Sequence, residues 1–261
     1  MKKLSWEIFG EENGDVNPVV ICHGLFGSRK NWRTIGRSLS RLGVQVIAVD
    51  MRNHGKSFWD KEHSYIDLAE DLKNVIDQFG GVADLIGHSM GGKAAMTLSL
   101  QYPESVRKLV VIDIAPINYA HDQSVNIRAM QQLDLRDIKS RTEAASELSK
   151  YVKDAALCAF FLQSLEFKDG ENGRWLINLE SLECNLAKIM RFPEINDSSL
   201  VNSLFIRGAL SDYINQANLS AIKRYFPNSQ IITVEDAGHW VHVEKQQLLL
   251  NYLTKFLFGT S

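Results

Sequence analysis

Cysteine is scarce in this sequence, which has three in 261 residues, at Cys22, Cys158 and Cys184. They are widely spaced and form no C-x-x-C pair, and this pattern argues against a disulfide framework and against a zinc site. We therefore expect three reduced thiols that serve as small core residues, in a cytoplasmic protein that holds no metal.

Charge of one sign and long apolar runs are also missing. The 29 basic and 31 acidic residues leave a formal net charge of −2, so neither nucleic acid nor a membrane is expected as a partner. No stretch of the sequence approaches the roughly 18 apolar residues that span a bilayer. Glu7, Glu11 and Glu12 interrupt any signal-peptide apolar region behind Lys2 and Lys3. We expect a soluble protein with a small-molecule partner, whose oligomeric state the sequence leaves open.

Short apolar runs alternate with segments of helical periodicity along most of the chain. The mainly apolar segments at 19–22, 44–49, 83–86, 109–112, 204–206 and 230–234 predict buried strands. Helices are predicted at 31–42, after Ser64, at 90–101 and at 245–256. This order predicts the α/β class, with a mostly parallel sheet that has helices on both faces.

The first strand is predicted at 4–10, where apolar and polar residues alternate. Asn13-Gly14-Asp15 behind it is a turn signal. We therefore expect this strand to fold back and pair with the next one, at 19–22.

The alternation of strands and helices breaks after Pro116. From 117 to 199 the pattern is mainly helical and rich in charge, and the βα order returns at 204. We therefore expect a core domain made of residues 1–116 and 200–261, with a helical cap at 117–199 inserted into it.

One motif offers a nucleophile. Gly87-His88-Ser89-Met90-Gly91 is a G-x-S-x-G sequence between a predicted strand and a predicted helix. In that context the chain turns sharply, the serine hydroxyl stands clear of the sheet, and the glycines let strand and helix come close. Ser89 is thus the candidate nucleophile, at a helix N-terminus that favours a developing negative charge.

A serine hydroxyl needs a general base, and His239 is the best placed of the seven histidines. It follows the last predicted strand, at the edge of the sheet where ligands bind in open α/β folds. Its place after the serine also fits the chain order Ser…Asp…His. His242 is the alternative base, although a place at the start of the next helix fits it better.

Two backbone amides are candidates for an oxyanion hole. Met90, which follows the nucleophile, supplies one of them. The second is expected in the H-G-L-F-G loop at 23–27, with Leu25 as the first choice and Phe26 as the second. His23 is expected to anchor this loop and to take no part in the reaction.

Four segments together resemble the α/β-hydrolase superfamily over nearly the whole chain. They are H-G-L-F-G at 23–27, D-M-R-N-H-G-K-S at 50–57, G-H-S-M-G-G-K at 87–93 and D-A-G-H-W at 236–240. I-D-I-A-P at 112–116 and G-H-W-V-H at 238–242 are similar to motifs of the small bacterial YbfF-type esterases and their mitochondrial relatives. The resemblance implies an α/β-hydrolase fold that hydrolyses short-to-medium acyl esters and also acyl-CoA thioesters, without a cofactor.

The acid of the triad is where this chain departs from the common family pattern. The usual acid position, three residues beyond Gly208, is occupied by Ser211, and Asp212 is one residue further on. The resemblance implies Asp113, at the end of the strand that follows the nucleophile helix, with Ser211 as its helper. Asp113 is thus the first candidate and Asp212 the alternative.

The remaining assignments concern substrate binding and loop structure. Phe26 and Trp240 are expected to line an acyl pocket. Asp50 and Arg52 are expected to hold the loops at the sheet edge together. Lys93 could attract an anionic substrate, although a solvated helix lysine is the first expectation for it.

These residues favour a serine esterase or thioesterase. Another reaction on the same scaffold, such as C–C bond hydrolysis or a lyase reaction, is the alternative. Dehalogenases and epoxide hydrolases of this fold have an aspartate where this chain has Ser89, which argues against those activities. A non-catalytic small-molecule receptor fits least, because the nucleophile, the base and the oxyanion loop are all intact.

Overall fold

The computed structural model of the protein describes residues 2–14, 16–120, 122–168 and 172–259. Over these residues the chain forms nine β-strands: β1 Ser5–Phe9, β2 Val19–Cys22, β3 Val46–Asp50, β4 Ala83–His88, β5 Val106–Ile112, β6 Leu165–Glu166, β7 Arg174–Trp175, β8 Asn202–Gly208 and β9 Ser229–Val234. The same ranges contain eleven α-helices: α1 Arg33–Ser40, α2 Tyr65–Asp77, α3 Met90–Gln101, α4 Ser124–Gln131, α5 Arg141–Leu148, α6 Ala155–Leu162, α7 Leu179–Cys184, α8 Leu186–Met190, α9 Leu219–Tyr225, α10 Val241–Glu244 and α11 Gln246–Phe258. In this part of the chain no helix is both long and apolar enough to cross a bilayer.

Seven of the described strands form one sheet in the order β1-β3-β2-β4-β5-β8-β9. Across the sheet from β3 to β9 all neighbours are parallel, and β1 is antiparallel to β3. The predicted mostly parallel α/β fold is therefore confirmed. The pairing predicted for the first strand is wrong, because β2 already has β3 and β4 on its two sides and β1 can join only at the edge of β3. The turn signal behind that prediction includes Asp15, which lies outside the described residues.

Two apolar clusters cover the two faces of this sheet. One includes Leu68 and Leu72 from α2, and the other includes Leu39 from α1 together with Leu249 and Leu253 from α11. Every residue of β2, β3 and β4 is buried. Strands covered on both faces bury mainly apolar side chains, which explains why they are mostly apolar in the sequence; the buried Asp84 of β4 is paired with Arg107.

Between β5 and β8 the chain forms helices α4 to α8 and a short antiparallel pairing of β6 with β7. These elements share an apolar cluster of their own, which includes Met130 and Phe161 and is joined by Phe26 from the loop after β2. A cluster separate from those of the sheet supports the proposal that residues 117–199 are a cap over a core domain.

The cysteines differ in burial. Cys22 and Cys158 are buried, whereas Cys184 is exposed, so the expectation that all three are core residues is wrong for Cys184. Helix α7 buries Leu179 and Leu182, which are three residues apart and share one face. Cys184 falls on the opposite face of that helix.

Helix α3 approaches the sheet closely at its first turn because glycines are present there. A Cβ atom on Gly91 would lie 2.4 Å from the carbonyl oxygen of Cys22, and one on Gly87 would lie 2.4 Å from that of Gly91. Backbone would have to move to admit either atom. This contact sets the N-terminus of α3 at the carboxyl end of β4, beside β2.

We predict that Gly91→Ala lowers the free energy of unfolding by about 1–3 kcal/mol, because the added methyl group forces α3 away from β2. Gly14→Ala is the matched control, since nothing lies within 4 Å of a Cβ atom at Gly14. That control is expected to change stability by less than about 0.5 kcal/mol. Urea unfolding followed by circular dichroism measures both proteins. Equal stability of the two variants would contradict the close contact.

Candidate active site

Ser89 lies at the turn between β4 and α3. Its backbone has φ 52° and ψ −118°, a strained conformation for a residue with a side chain. Its amide donates to the carbonyl oxygen of Ile112 on the neighbouring strand at 3.0 Å. The predicted strand–turn–helix context of the motif is therefore present, with Ser89 at the carboxyl end of the sheet.

His239, in the loop between β9 and α10, faces Ser89. Its Nε2 atom is 3.0 Å from Ser89 Oγ, and its Nδ1 atom is 2.7 Å from Asp113 Oδ2. An ionised carboxylate only accepts, so Nδ1 carries the proton and Nε2 accepts from the serine hydroxyl. The Tyr213 ring stacks on the imidazole with 4.0 Å between ring centroids. His88 Nε2–H donates to the His239 carbonyl oxygen at 2.9 Å and holds the backbone.

Asp113 follows β5 and is fully buried, with 0% of its surface exposed. Its Oδ1 atom accepts from the Gly208 amide at 3.0 Å, and its Oδ2 atom accepts from the Ser211 hydroxyl as well as from His239. Three donors hold the carboxylate in one orientation. Asp212 is exposed, so the structure brings Asp113, and not Asp212, to the imidazole.

His23 fixes the first peptide of the H-G-L-F-G loop. Its Nδ1–H donates to the Gly24 carbonyl oxygen at 2.8 Å, and the Gly27 amide donates to the same oxygen at 3.0 Å. The C=O and N–H groups of a trans peptide point in opposite directions, so Leu25 N–H is directed away from these two donors. A Cβ atom on Gly24 would lie 3.2 Å from Ser89 Cβ, which places this peptide directly beside the serine.

His54 fixes the next peptide of the same loop. Phe26 N–H donates to His54 Nε2 at 3.2 Å, and His54 Nδ1–H donates to the Arg52 carbonyl oxygen at 2.9 Å. Phe26 has φ 65°, a conformation that this hydrogen bond helps to hold. Because the Phe26 amide is engaged by His54, Leu25 is the better of the two predicted oxyanion donors in this loop.

Met90 is the first residue of α3, and its amide is one of the helix N-terminal donors that have no partner within the helix. Two buried residues, His63 and Asn53, hold its side chain in place. His63 Nε2–H donates to Met90 Sδ at 3.4 Å, and Asn53 Nδ2 donates to His63 Nδ1 at 3.2 Å. The two predicted oxyanion donors, Leu25 and Met90, thus both border the serine on fixed backbone.

His242, the alternative base, is packed in the core. Its ring stacks on Trp32 with 4.7 Å between centroids, and 4% of the residue is exposed. The structure therefore brings His239, and not His242, to Ser89.

A cavity of about 440 Å³ opens at Ser89, within the roughly 300–1,000 Å³ typical of small-molecule sites. Its walls are mainly apolar and include Leu25, Phe26, Met90, Ile114, Leu157, Phe160, Ile189, Met190 and Trp240. Phe26 and Trp240, the expected acyl-pocket residues, are both in the wall. Trp240 also contacts Phe160 of α6 with 5.5 Å between centroids, so the segment between β5 and β8 closes one side of the cavity.

Asp50 and Arg52 hold loops together, as predicted. The Asp50 carboxylate accepts from the backbone amides of Arg29 and Lys56 at 2.8 and 2.9 Å. Arg52 Nε donates to Asp71 Oδ2 at 2.6 Å. These bonds connect the ends of β2 and β3 to α2 beneath the site.

The burial of Lys93 differs from what the sequence predicts. Lys93 lines the cavity and is 1% exposed, so the prediction of a solvated helix lysine is wrong. Every residue of α3 from Met90 to Leu100 is buried, because the sheet lies on one side of the helix and α2 and the segment before β8 cover the rest. A helix that is buried on all sides has no solvent-exposed face, so a lysine within it cannot be solvated.

Sequence reasoning missed three residues that shape the site: Tyr213, His54 and His63. Tyr213 is two residues after Ser211, and its stacking depends on how the loop after β8 folds back. His54 and His63 are separated from the serine in sequence, although His54 belongs to the D-M-R-N-H-G-K-S segment that was interpreted as structural. The signal was present for His54, but its hydrogen-bond partner could not be identified without the fold.

Burial lowers the pKa of five histidines around the site. The pKa falls to about 4 for His23 and to about 3 for His54 and His242, and it lies well below the usual value for His63 and His88. Lost hydration of the charged ring is the largest cause. All five are therefore neutral at pH 7, as the acceptor nitrogens of His23 and His54 require. Despite this density of histidines, the described part of the chain contains no group of three or more His, Cys, Asp or Glu residues that could hold a metal ion.

Comparison with known proteins gives a consistent family. Residues 17–246 match the family described as alpha/beta hydrolase fold. The chain is 37% identical to the sn-1-specific diacylglycerol lipase ABHD11 of Mus musculus, over 95% of this chain and 88% of that protein. It is 35% identical to Esterase YbfF of Escherichia coli (strain K12), over 92% of this chain and 93% of that protein. A solved structure named Marine microorganism esterase superposes with a TM-score of 0.93 at 35% identity, covering 98% of this chain and all of that one.

We predict that the protein loses stability between pH 7 and pH 5. Histidines in the unfolded chain take up protons near pH 6.5, whereas the five buried ones stay neutral in the folded state, so the unfolded state binds more protons as the pH falls. Each such histidine lowers the free energy of unfolding at pH 5 by up to about 2 kcal/mol. Urea unfolding at pH 7, 6 and 5 measures the effect. His242→Phe removes one of these groups and should have a shallower pH dependence; equal slopes would contradict the assignment.

Proposed function

The chain belongs to the α/β-hydrolase fold family, and we propose that within it the protein is a serine esterase for short-to-medium acyl esters, with acyl-CoA thioesters as further substrates. The observation that carries the proposal is the hydrogen-bonded series Ser89–His239–Asp113 at the base of an apolar cavity. A series of this kind activates a serine hydroxyl for acyl transfer.

In the first half-reaction Ser89 Oγ forms a bond to the carbonyl carbon of the ester while His239 Nε2 takes the hydroxyl proton. The tetrahedral intermediate then collapses, and the bond to the alcohol oxygen or thiol sulfur breaks. His239 returns its proton to that leaving group. Asp113 holds the ring with Nε2 toward the serine and balances the charge of the imidazolium. The products are an acyl-enzyme on Ser89 and the free alcohol or thiol.

The amides of Leu25 and Met90 donate hydrogen bonds to the carbonyl oxygen of the substrate as negative charge develops on it. Leu25 is favoured over Phe26 because Phe26 N–H already donates to His54. With Gly24 C=O held by His23 and Phe26 N–H held by His54, both peptides that flank Leu25 are fixed before a substrate arrives. Donors that need no reorganisation during the reaction are the most effective stabilisers of an oxyanion.

The second half-reaction releases the acid. A water molecule attacks the acyl carbon and gives a proton to His239 Nε2. The bond between that carbon and Ser89 Oγ breaks, and His239 returns the proton to the serine. These steps use the protein's own groups and water, so the proposal requires no cofactor.

The substrate class is supported by the cavity and by the named relatives. Its apolar walls and volume of about 440 Å³ suit an acyl chain, for which we assign Phe26 and Trp240 as contacts. Two similar proteins have names that state ester-hydrolysing activities, an esterase and a diacylglycerol lipase. The thiol of coenzyme A is a leaving group that the same steps accept.

The function is tested by turnover of p-nitrophenyl esters and acyl-CoA thioesters, from acetyl to dodecanoyl. Ser89→Ala should lower kcat by about 10⁴-fold or more, since it removes the nucleophile, and should no longer react with a fluorophosphonate label. Circular dichroism of the variant shows that it is folded. Turnover that survives in Ser89→Ala contradicts the mechanism. A wild-type protein that is labelled but hydrolyses no ester or thioester would instead favour another reaction, such as C–C bond hydrolysis.

The identity of the acid is tested by three variants. Asp113→Asn should lower kcat by about 10⁴-fold, because an amide at this position favours the wrong imidazole tautomer. Ser211→Ala removes one hydrogen bond to a charged group and should cost roughly 10- to 100-fold. Asp212→Asn is the matched control, expected to keep the wild-type kcat. A larger loss from Asp212→Asn than from Asp113→Asn would reverse the assignment.

The role of His54 is tested with His54→Phe, which keeps a ring but removes the acceptor for Phe26 N–H. The loosened loop should lower kcat on the order of 10- to 100-fold, with a much smaller change in KM, because the Leu25 amide acts mainly in the transition state. His242→Phe is the control, since that buried ring makes no hydrogen bond to the loop. Equal kcat values for the two variants would contradict the role of His54.

A further inference from the structure

The amino group of Lys93 is enclosed in the wall of the cavity. This group donates to the carbonyl oxygens of Met190 and Arg191 at 3.1 and 3.0 Å. It also lies 4.8 Å from the ring centroid of Tyr119 and 5.4 Å from that of Tyr65. Among the described residues no carboxylate pairs with it, and burial lowers its pKa to about 7. The group is therefore surrounded by partial negative charge without a counter-ion.

A charged amine in this arrangement is unfavourable for the protein alone, which is why burial lowers its pKa. Carbonyl oxygens and ring faces attract a cation, but they do not replace the hydration that burial removes. Methionine has a similar length and would fill the same position without a charge to bury. We therefore infer that the charge of a lysine at this position has a function.

Lys108 provides an internal comparison. It donates to the carbonyl oxygens of Phe256 and Leu257 at the end of α11, at 2.9 and 2.7 Å, and lies 5.7 Å from the Phe256 ring centroid. Lys93 makes the same kind of contacts at the end of α8. Lys108, however, is only partly buried and is not in the cavity wall. Binding to a helix end thus explains the contacts of Lys93 but not its enclosure in the cavity.

Lys93 is well placed to contact a substrate bound at Ser89. Both residues line the cavity, and the Lys93 amide donates to the Ser89 carbonyl oxygen at 3.0 Å. Glu244 also lines the cavity, but it is exposed and its carboxylate accepts from the Gly238 amide at 2.7 Å. An anionic group on a substrate is repelled by Glu244 and attracted by Lys93.

We propose that Lys93 binds a carboxylate carried by the substrate, so that the enzyme prefers esters with a free carboxylate a few carbon atoms from the scissile carbonyl. The inference rests on the proposed esterase function. The carboxylate supplies the missing counter-charge in a site that is already dehydrated, where the attraction between opposite charges is strong. The apolar walls accommodate the hydrocarbon between the two polar ends.

Two kinds of ester have this chemistry. In a hemi-ester of a dicarboxylic acid the carboxylate is on the acyl side, and in an ester of a hydroxy acid it is on the alcohol side. The acyl arm of the test uses mono-p-nitrophenyl esters of succinic, glutaric, adipic and pimelic acids. The alcohol arm uses butyryl esters of ω-hydroxy acids, followed by acid release. Each substrate is paired with one in which a carboxamide replaces the free carboxylate.

The measured quantity is the ratio of kcat/KM for the acid to kcat/KM for its paired amide. Ser89→Ala serves as the blank, because a neighbouring carboxylate accelerates the spontaneous hydrolysis of short hemi-esters. We expect a ratio of about ten or more in one arm at one spacer length, equivalent to roughly 1.4 kcal/mol. Lys93→Met should bring the ratio to one or below, and Lys93→Arg should keep part of it. Lys108→Met, the matched control, should keep the wild-type ratio.

The outcomes separate this inference from the function on which it rests. Wild-type ratios of one or below in both arms, with the amide esters turned over, overturn the carboxylate preference and leave the esterase proposal standing. A folded Lys93→Met variant that keeps the wild-type ratio also overturns it. If neither these substrates nor simple p-nitrophenyl esters are hydrolysed, both proposals fall. The wild-type ratio decides the question even if a Lys93 variant does not fold.

Discussion

The buried carboxylate of Asp113 is the interaction on which the arrangement of the site depends. It lies at the end of β5 and accepts hydrogen bonds from Gly208 at the end of β8, from Ser211 in the loop that follows, and from His239 after β9. A buried charge that loses a partner is destabilising, so these three segments are held at fixed distances. The adjacency of β4, β5 and β8 in the sheet then brings His239 to Ser89.

Neutral histidines form a second layer beneath these residues. His23 and His54 each use one ring nitrogen as donor and the other as acceptor, and together they hold the peptides on both sides of Leu25. Their burial keeps them uncharged at pH 7, which preserves the acceptor nitrogens. The same burial makes the fold sensitive to acid, because protonation favours the unfolded chain. The rigidity of the loop and the low pKa values of these histidines thus have one physical origin, their burial.

The segment between β5 and β8 changes the character of the site. Its helices supply Phe160, Ile189 and Met190 to the cavity wall, and the end of α8 covers Lys93. Without that cover the lysine would reach water and its charge would be of little consequence. Enclosed, its amino group lies in the wall of a mainly apolar cavity, which is the basis of the proposed carboxylate preference.

The α/β class, the mostly parallel sheet and the candidates Ser89 and His239 could be predicted from the sequence. This was possible because strands buried on both faces are mainly apolar, and because G-x-S-x-G has a recognisable local context. The local pattern could not decide between Asp113 and Asp212, the partner of β1, or the burial of Lys93 and Cys184. Those features depend on contacts between residues far apart in the chain, such as Asp113 with Ser211 and Lys93 with the end of α8. They required the folded structure, because hydrogen bonds and burial are properties of neighbours in space, which a linear pattern does not specify.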